Sequence, residues 1–251
     1  MKVGHVDVAR IGLGTNRLTN TAEHVAFIRA AVEAGVQMID TAHLYTGGQS
    51  EQTIGEALSP FPANVIVATK GGFGGAGRGR PEVLRAEIEE SLGKLRTEAI
   101  ELYYLHRVDP ETPLEESLAV IKEYRDAGKI RHVGVSQVTV EQVERARKVV
   151  PVTAVQNQYN LDQRESDDVI DYCTREGIAF VPFFPLRGGG GTLQEIARRH
   201  RAKPEQVKLA WLLRRSPAML PIPGTLSIAH LKENLAALQI ELTDKEFENL
   251  R

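Results

Sequence analysis

The chain has 251 residues, 42% of them hydrophobic and 25% charged, and this composition predicts one globular domain spanning residues 1–251. Its formal net charge is -2 and its basic residues are scattered among acidic ones, which argues against a nucleic-acid-binding surface. It has no run of about 18 apolar residues and no signal-peptide pattern, so we expect no membrane segment and a cytoplasmic location.

The first part of the chain contains a predicted hairpin, a glycine pair and a helix. Residues 1–10 alternate weakly between apolar and polar and are expected to cover the bottom of the fold. Gly12 and Gly14 follow, but the third glycine of a dinucleotide-binding fingerprint is missing, so this turn does not indicate a Rossmann domain. Asn20, with Glu23 three residues later, predicts the start of a helix.

Strands and helices then alternate to the end of the chain. Short apolar runs predict seven further strands, at residues 37–41, 64–70, 99–106, 130–135, 152–156, 178–182 and 219–222. Capping residues and prolines predict helix starts at Pro81, Thr112 with Glu115, Thr139 with Gln142, Asp167, Thr192, Pro204 and Thr243. Eight strands, each followed by a helix, argue for an α/β fold of the (β/α)₈ TIM-barrel type over an open doubly wound sheet, with extra helices near the C-terminus.

Cysteine and histidine give no sign of a disulfide or a metal site. Cys173 is the single cysteine, and we interpret it as a small packed hydrophobic residue in a helix rather than a nucleophile. The seven histidines are scattered without metal-ligand spacing, so no bound metal is expected.

Polar residues stand where the predicted strands end. Asp40 follows the second strand, with Tyr45 on the loop five residues later, and Lys70 and His106 end the next two strands. The fifth and sixth strand ends carry Ser136, Gln137 and Gln156. Each residue alone is compatible with a solvated turn or rim, but the carboxyl ends of barrel strands meet on one face, where active sites lie. The convergence of several titratable types favours an active site there.

The order and spacing of these residues resemble the aldo-keto reductase family over the whole chain. The matching positions are Asp40-Thr41-Ala42, Tyr45, Gly47, Glu51, Gly55, Lys70, His106, Gly134-Val135-Ser136, Gln156, Pro185-Leu186, Ile222-Pro223-Gly224-Thr225 and Glu233-Asn234. The resemblance implies a barrel that binds a nicotinamide dinucleotide without a Rossmann fold and reduces aldehydes or ketones to alcohols. It also implies a catalytic tetrad of Asp40, Tyr45, Lys70 and His106.

The chemistry of carbonyl reduction suggests a role for each of these four side chains. Hydride delivery to a carbonyl carbon leaves an alkoxide, so a proton donor must lie within hydrogen-bond reach of the oxygen, and Tyr45 is the expected donor. Lys70 would stabilise the phenolate, and Asp40 would hold Lys70 charged and in place. A neutral His106 would donate to the carbonyl oxygen, which orients and polarises the substrate.

The resemblance also assigns residues to the cofactor. It implies that Ser136, Gln137 and Gln156 bind the carboxamide. Phe183 would stack on the nicotinamide ring, whereas Phe184 is open to two interpretations, a second aromatic contact or core filling. The remaining contacts implied for the cofactor are Gly14, Thr15, Asn16, Asp40, Leu186, Gly188, Gly224, Thr225, His230, Glu233 and Asn234.

Two departures from the family pattern bear on specificity. Relatives that strongly prefer the phosphorylated cofactor often have lysine at the Gly224 position and arginine at the His230 position. We therefore expect NADP(H) rather than NAD(H), with a modest preference, because histidine lacks the bidentate grip and constant charge of arginine. The chain also ends soon after its last helix, without the long loop that covers the pocket in larger relatives, which predicts broad substrate tolerance.

A narrower similarity concerns the substrate. Residues 156–160 and 181–186 resemble a bacterial branch that includes pyridoxal reductases, which suggests a planar aromatic aldehyde. The expected partner is thus a small carbonyl compound, and we expect the protein to act as a monomer, without a nucleic-acid or membrane partner.

Two other functions remain open from the sequence. A barrel of this family can serve as a binding or regulatory subunit, as the potassium-channel β-subunits do, although an intact tetrad argues against it. Lys70 on a barrel strand would also suit a Schiff-base lyase. Borohydride trapping of substrate on Lys70 would distinguish such a lyase from a reductase.

Overall fold

The backbone forms a (β/α)₈ barrel with a small hairpin at its amino-terminal end. The computed structural model describes residues 1–250. The hairpin pairs β1 (Lys2–Val3) with β2 (Val6–Asp7) in antiparallel fashion. Seven parallel strands follow, each next to its neighbour in sequence: β3 (Leu13–Gly14), β4 (Met38–Asp40), β5 (Ile66–Gly71), β6 (Ile100–Leu105), β7 (Ile130–Ser136), β8 (Val152–Gln156) and β9 (Ala179–Phe180).

Helices surround this sheet and extend beyond it at the C-terminal end. Within residues 1–250 they are α1 (Ala22–Glu33), α2 (Gln49–Leu58), α3 (Pro81–Leu95), α4 (Leu114–Asp126), α5 (Val140–Val149), α6 (Asp167–Glu176), α7 (Gly191–Arg199), α8 (Pro204–Arg215), α9 (Ile228–Ala236) and α10 (Asp244–Asn249). Short 3-10 helices span Tyr45–Gly48 and Ala237–Gln239. None of the helices in this range has the length and apolar character needed to cross a membrane.

The segment expected to be the eighth strand closes the barrel without forming a regular strand. Met219 bridges to β9 in parallel orientation. On the other side, the carbonyl groups of Pro221 and Pro223 accept hydrogen bonds from the backbone N–H groups of Gly12 and Gly14. Because proline has no N–H to donate, a complete ladder cannot form here. The prediction of a regular strand was therefore wrong, whereas the predicted barrel is confirmed.

Alternation along the strands decides which side chains enter the barrel. Met38 of β4 and Ile66 and Ala68 of β5 belong to a buried apolar cluster inside the sheet. Successive strand residues point to opposite faces, so residues two apart share a face. Asp40 follows Met38 by two and Lys70 follows Ala68 by two, which places both polar side chains on the inner face at the carboxyl end.

The amino-terminal hairpin closes the opposite end of the barrel, as predicted. Val3 and Val6 are buried in the same inner cluster as the strand residues. The backbone N–H of Ala9 donates to the side chain of Gln37, which lies just before β4. The amino ends of the strands are therefore covered.

Three predicted helix starts were wrong in detail. Thr192 lies inside α7, because this helix begins at Gly191 with Gly190 as its cap residue. The side chain that caps α1 is that of Thr21 rather than Asn20, and it accepts a hydrogen bond from the backbone N–H of His24. Thr112 does not cap α4, because its hydroxyl donates to Asp109 instead. Short polar side chains have several local backbone and side-chain partners within reach, so spacing alone does not determine which partner is used.

Candidate active site

A tight turn after β4 carries Tyr45 to the barrel mouth. The 3-10 helix Tyr45–Gly48 leads directly into α2, and its backbone is left-handed at Thr46 (φ 50), Gly47 (φ 67) and Gly48 (φ 86). The two glycines adopt this conformation without the steric cost that a Cβ imposes. The hydroxyl of Thr46 donates to the backbone oxygen of Leu18, which ties the turn to the loop before α1. Tyr45 is thus held by backbone structure on both sides.

Lys70 lies at the centre of a group of buried polar atoms. Its Nζ is 2.6 Å from Oδ1 of Asp40, 2.6 Å from the backbone oxygen of Thr41 and 3.4 Å from the hydroxyl of Tyr45. Gln156 donates from Nε2 to Oδ2 of Asp40 over 2.8 Å, so both carboxylate oxygens accept hydrogen bonds. Side chains from three strand ends and one loop are therefore in direct contact.

We assign Asp40 as a carboxylate and Lys70 as an ammonium. Burial is the largest single influence and opposes charge on Lys70, but the attraction and hydrogen bonds of Asp40 and Tyr45 together outweigh it and hold the pKa of Lys70 above its usual value. Burial also raises the pKa of Asp40, against the hydrogen bonds from Lys70 and Gln156. An ammonium group can donate to all three oxygen atoms that surround Nζ of Lys70, those of Asp40, Thr41 and Tyr45. We therefore place the proton between Asp40 and Lys70 on Lys70.

His106 lies beside Tyr45 and is neutral. The two ring centroids are 6.1 Å apart, and the rings meet nearly edge to face, at 79°. Only 5% of the His106 surface is exposed. Burial, together with the charges of Lys70 and Arg107, lowers the pKa of His106 to about 2. A neutral imidazole has one N–H donor, so His106 can hydrogen-bond to a carbonyl oxygen at ordinary pH.

A cavity of about 680 Å³ opens above these side chains at the carboxyl ends of the strands. Its volume falls in the range of small-molecule sites, and its position is the one that active sites occupy in this architecture. Its walls combine strand-end polar groups with aromatic and apolar loop residues. The lining residues are Gly14, Thr15, Asn16, Arg17, Asp40, Leu44, Tyr45, Phe73, His106, Arg107, Ser136, Gln156, Phe183, Phe184, Pro185, Leu186, Arg187, Ile222, Pro223 and Gly224.

Sequence reasoning missed part of the cavity wall, above all Arg107 and Phe73. Arg107 donates from Nη1 to Oγ of Ser136 over 3.1 Å. Its guanidinium carbon is 5.3 Å from the ring centroid of Phe73 and 5.8 Å from that of Phe183. The ring of Phe73 lies 4.7 Å from that of His106, centroid to centroid. Arg107 directly follows His106 at a strand end, and this position could have indicated that it lines the cavity. Phe73 lies in a glycine-rich loop, where the sequence pattern gives no indication of its position.

Ten of the residues expected to contact a cofactor line this cavity. They are Gly14, Thr15, Asn16, Asp40, Ser136, Gln156, Phe183, Phe184, Leu186 and Gly224. Gly14 and Gly224 face each other through a parallel bridge. A Cβ on Gly14 would lie 2.8 Å from the backbone oxygen of Ile222, so this position has no room for a side chain. The two glycines leave a wall of bare backbone that a flat or phosphate-bearing ligand can approach closely.

The other six expected cofactor residues lie outside the cavity. Gln137 is exposed, and its side-chain oxygen accepts a hydrogen bond from the backbone N–H of Gln158. Gly188 packs against Asp162, whose carboxylate a Cβ at Gly188 would strike. The remaining four lie on the segment that runs from the cavity edge into α9, namely Thr225, His230, Glu233 and Asn234. Their assignment to a cofactor stays a prediction.

Comparison of the sequence with known proteins places it among oxidoreductases. Residues 10–251 match the sequence profile of the Aldo/keto reductase family. Pyridoxine 4-dehydrogenase of Escherichia coli is 36% identical over an alignment that covers 99% of this chain and 96% of that protein. An uncharacterised oxidoreductase of Schizosaccharomyces pombe is 37% identical, with 100% of this chain and 88% of that protein covered.

Comparison with solved structures gives the same result. The thermostable aldo-keto reductase Tm1743, solved with the inhibitor epalrestat, superposes with a TM-score of 0.91 at 31% identity, covering 100% of this chain and 97% of that one. An aldo/keto reductase of Klebsiella pneumoniae, solved with NADP and acetate, gives a TM-score of 0.84 at 29% identity, with coverages of 97% and 90%. The chain therefore belongs to the aldo/keto reductase family of oxidoreductases.

Proposed function

We propose that this protein is a nicotinamide-dependent carbonyl reductase in which Tyr45 transfers the proton. The observation that carries the proposal is the contact of Nζ of Lys70 with Asp40 on one side and with the Tyr45 hydroxyl on the other, beneath the cavity. An ammonium group 3.4 Å from the phenol oxygen stabilises the negative charge that remains when the proton leaves. Tyr45 can then donate to an alkoxide in reduction and accept from an alcohol in oxidation.

His106 and the cavity wall supply the rest of the chemistry. A neutral imidazole beside Tyr45 can donate a hydrogen bond to the substrate oxygen and so fix its distance from the phenol. Because His106 does not become charged, it does not compete with Tyr45 as a proton donor. The buried position of Lys70 and Asp40 keeps water away from their charges and strengthens their effect on the phenol.

The residues of the cavity suit a nicotinamide dinucleotide, which supplies or accepts the hydride when bound. Gly14 and Gly224 offer backbone without side chains at the edge nearest α9. The hydroxyl of Ser136 and the amide of Gln156 can hydrogen-bond to a carboxamide, and Phe183 offers a flat apolar face. These groups occupy the same cavity as Tyr45, which is what transfer between the cofactor and a substrate carbonyl requires.

A modest preference for NADP(H) over NAD(H) is part of the proposal. The related Klebsiella pneumoniae enzymes were solved with NADP and with NADPH. In this chain α9 begins at the cavity edge, and its first-turn residue His230 is exposed. Free N–H groups at a helix start favour a phosphate, but His230 lacks the permanent charge of an arginine. We therefore expect the 2′-phosphate to be bound only weakly.

A planar aromatic aldehyde, of which pyridoxal is an example, is the substrate class that we propose. The cavity wall carries the rings of Phe73, Phe183 and Phe184 together with Leu44. Aromatic side chains favour flat apolar substrates through stacked and edge-to-face contacts. The relative named pyridoxine 4-dehydrogenase, 36% identical, supports the same class.

The state of Lys70 argues against a Schiff-base lyase. Attack on a carbonyl requires a neutral amine, and such lysines are usually deprotonated by burial or by a neighbouring cation. Lys70 has instead a carboxylate partner at 2.6 Å, which keeps its pKa high. A reductase is the function that this arrangement favours.

The decisive experiment follows the absorbance of reduced nicotinamide. Purified protein is mixed with NADPH or NADH and, in turn, with pyridoxal, substituted benzaldehydes and short aliphatic aldehydes. We expect absorbance to fall with aromatic aldehydes and to fall more slowly with the aliphatic ones. No consumption of NADPH or NADH with any carbonyl compound, despite measurable cofactor binding, would instead indicate a regulatory barrel.

A further inference from the structure

A second cluster of ligand-bearing side chains lies at the bottom of the barrel, at the opposite end from the cavity. It consists of His5 in the β1–β2 turn, Glu101 on β6 and His132 on β7, and we call it the hairpin site. The three residues are distant in sequence and come together only through the fold. This explains why the spacing of histidines predicted no metal.

The three ligand atoms of the hairpin site form a compact triangle. Nδ1 of His5 is 3.0 Å from Nε2 of His132 and 3.4 Å from Oε1 of Glu101. Nε2 of His132 is 3.8 Å from the same oxygen. Three tetrahedral ligands at zinc distances of about 2.0–2.1 Å are separated from one another by roughly 3.3 Å. The three observed separations, 3.0, 3.4 and 3.8 Å, lie on both sides of that value. Small rotations of the side chains would therefore allow the three atoms to coordinate zinc.

The polar groups of the hairpin site satisfy one another only in part, because Nδ1 of His5 and Nε2 of His132 are within hydrogen-bond distance of each other. Oε1 of Glu101 is buried and has no hydrogen-bond partner among the described residues. A buried hydrogen-bond acceptor without a partner lowers the stability of the folded state, because it has lost its hydrogen bonds to water. Two imidazole nitrogens and one carboxylate oxygen lie within 4.8 Å of one another, and such a donor set is typical of zinc.

The backbone presents these side chains in fixed positions. Gly4 has a φ of +62, and a Cβ there would lie 2.1 Å from Nε2 of His132, so the turn packs directly against that ring. Val3 and Val6 flank the turn and are buried inside the barrel. His5 therefore stands on a short, anchored hairpin and not on a free loop, which reduces the ordering cost of ligation.

Neighbouring charged residues both support and limit cation binding. Nε of Arg131 lies 3.1 Å from Oε2 of Glu101 and holds the carboxylate with Oε1 towards the imidazoles. Arg125, which opposes a cation, lines the same surface hollow as Asp126, whose carboxylate is already paired with Lys122 and Arg125.

We propose that the hairpin site binds one zinc ion through Nδ1 of His5, Nε2 of His132 and Oε1 of Glu101, with water as the fourth ligand. Magnesium and calcium prefer oxygen ligands and do not suit a site with two imidazoles. Bound zinc cross-links the first residues of the chain to β6 and β7. The folded state gains stability as a consequence, because the unfolded chain does not bring the three ligands together.

The test uses untagged full-length protein, treated with a chelator and then dialysed. Zinc is titrated by calorimetry, cobalt(II) serves as a spectroscopic probe of tetrahedral ligation, and melting temperature is recorded with and without zinc. The informative variants are His5→Ala and Glu101→Gln. The side chain of His5 is 63% exposed and glutamine has nearly the shape of glutamate, so both variants should fold. His200→Ala is the matched control, because His200 likewise lies beside a carboxylate, that of Glu246, but is not part of the cluster.

We expect wild type and His200→Ala to bind one zinc ion per chain, with tetrahedral cobalt bands and a zinc-dependent rise in melting temperature. His5→Ala and Glu101→Gln should bind at least about tenfold more weakly and lose that rise. Equal zinc affinity in all four proteins would place the metal elsewhere and overturn the proposal. Absence of binding by wild type at micromolar zinc would overturn it as well. Neither outcome depends on catalysis, since the cavity lies at the other end of the barrel.

Discussion

Nζ of Lys70 lies 2.6 Å from Oδ1 of Asp40, and both side chains are buried. Breaking such a pair by removing one partner leaves an uncompensated buried charge, which typically costs about 3–5 kcal/mol. Asp40→Asn and Lys70→Met should each lower the free energy of unfolding by roughly this amount. The double variant should lose less than the sum, because it contains neither charge. Urea unfolding of the three variants measures this, and strictly additive losses would show that the two groups are not coupled.

Loss of the Tyr45 hydroxyl should remove the proton donor while the cavity keeps its shape. General acid catalysis is worth about 10² to 10⁴ in rate, so Tyr45→Phe should reduce turnover by that factor. Cofactor affinity, measured by fluorescence titration, should change little, because phenylalanine preserves the ring beside His106. A variant that retains more than half of the wild-type turnover would contradict the role proposed for Tyr45.

The inner face of the barrel could be predicted from the sequence, because it follows from alternation along each strand. Asp40 and Lys70 stand two residues after buried apolar residues, so a period of two assigns them to the interior. Their mutual contact could not be predicted from that pattern, since it depends on the register of neighbouring strands. The resemblance to the family supplied the pairing, and the structure supplies the distance. Neither strand alternation nor the resemblance to the family predicted the position of Phe73 beside His106.

Local backbone chemistry explains what the sequence predicted wrongly. The run from Met219 to Ile222 is apolar enough for a strand, but Pro221 cannot donate to a ladder. Thr112 had the spacing of a capping residue and bonds to Asp109 instead. The single domain over residues 1–251, the monomeric state and the cytoplasmic location stay predictions, which limited proteolysis, size-exclusion chromatography and cell fractionation would check.

His106 should make the folded protein less stable in acid. Burial and the charges of Lys70 and Arg107 lower its pKa to about 2, whereas the ordinary value is 6.5. Between these values the unfolded chain binds a proton that the folded chain does not bind, so the free energy of unfolding decreases as the pH falls. One such histidine accounts for roughly 2 kcal/mol between about pH 7.5 and about pH 5. His106→Gln should flatten the urea-derived pH dependence by that amount, and an identical slope in variant and wild type would assign the effect to other groups.

Phe73 should determine the preference for aromatic substrates. Its ring lies 4.7 Å from His106, centroid to centroid, on the wall of the cavity where a flat aldehyde would pack. An aromatic pair is worth about 0.5–1.5 kcal/mol, so Phe73→Ala should raise KM for benzaldehydes roughly twofold to tenfold. KM for a short aliphatic aldehyde serves as the control and should change less. Equal increases for both classes would point to a general distortion of the loop.

The choice of cofactor should depend on Gly224 and His230, two positions at which the family resemblance implies contact with the cofactor. His230 is exposed in the first turn of α9, and a Cβ on Gly224 would meet only ordinary contacts, the nearest being 3.4 Å from the backbone oxygen of Gly14. Both positions therefore accept a longer side chain without a change of fold. A charge-assisted contact to the 2′-phosphate is worth roughly 1.5–3 kcal/mol, so His230→Arg or Gly224→Lys should strengthen NADPH binding about tenfold to a hundredfold. The dissociation constant of NADH is the internal control and should stay nearly constant, because NADH lacks that phosphate. If wild type already discriminates strongly and neither substitution alters the ratio of the two constants, another group recognises the phosphate.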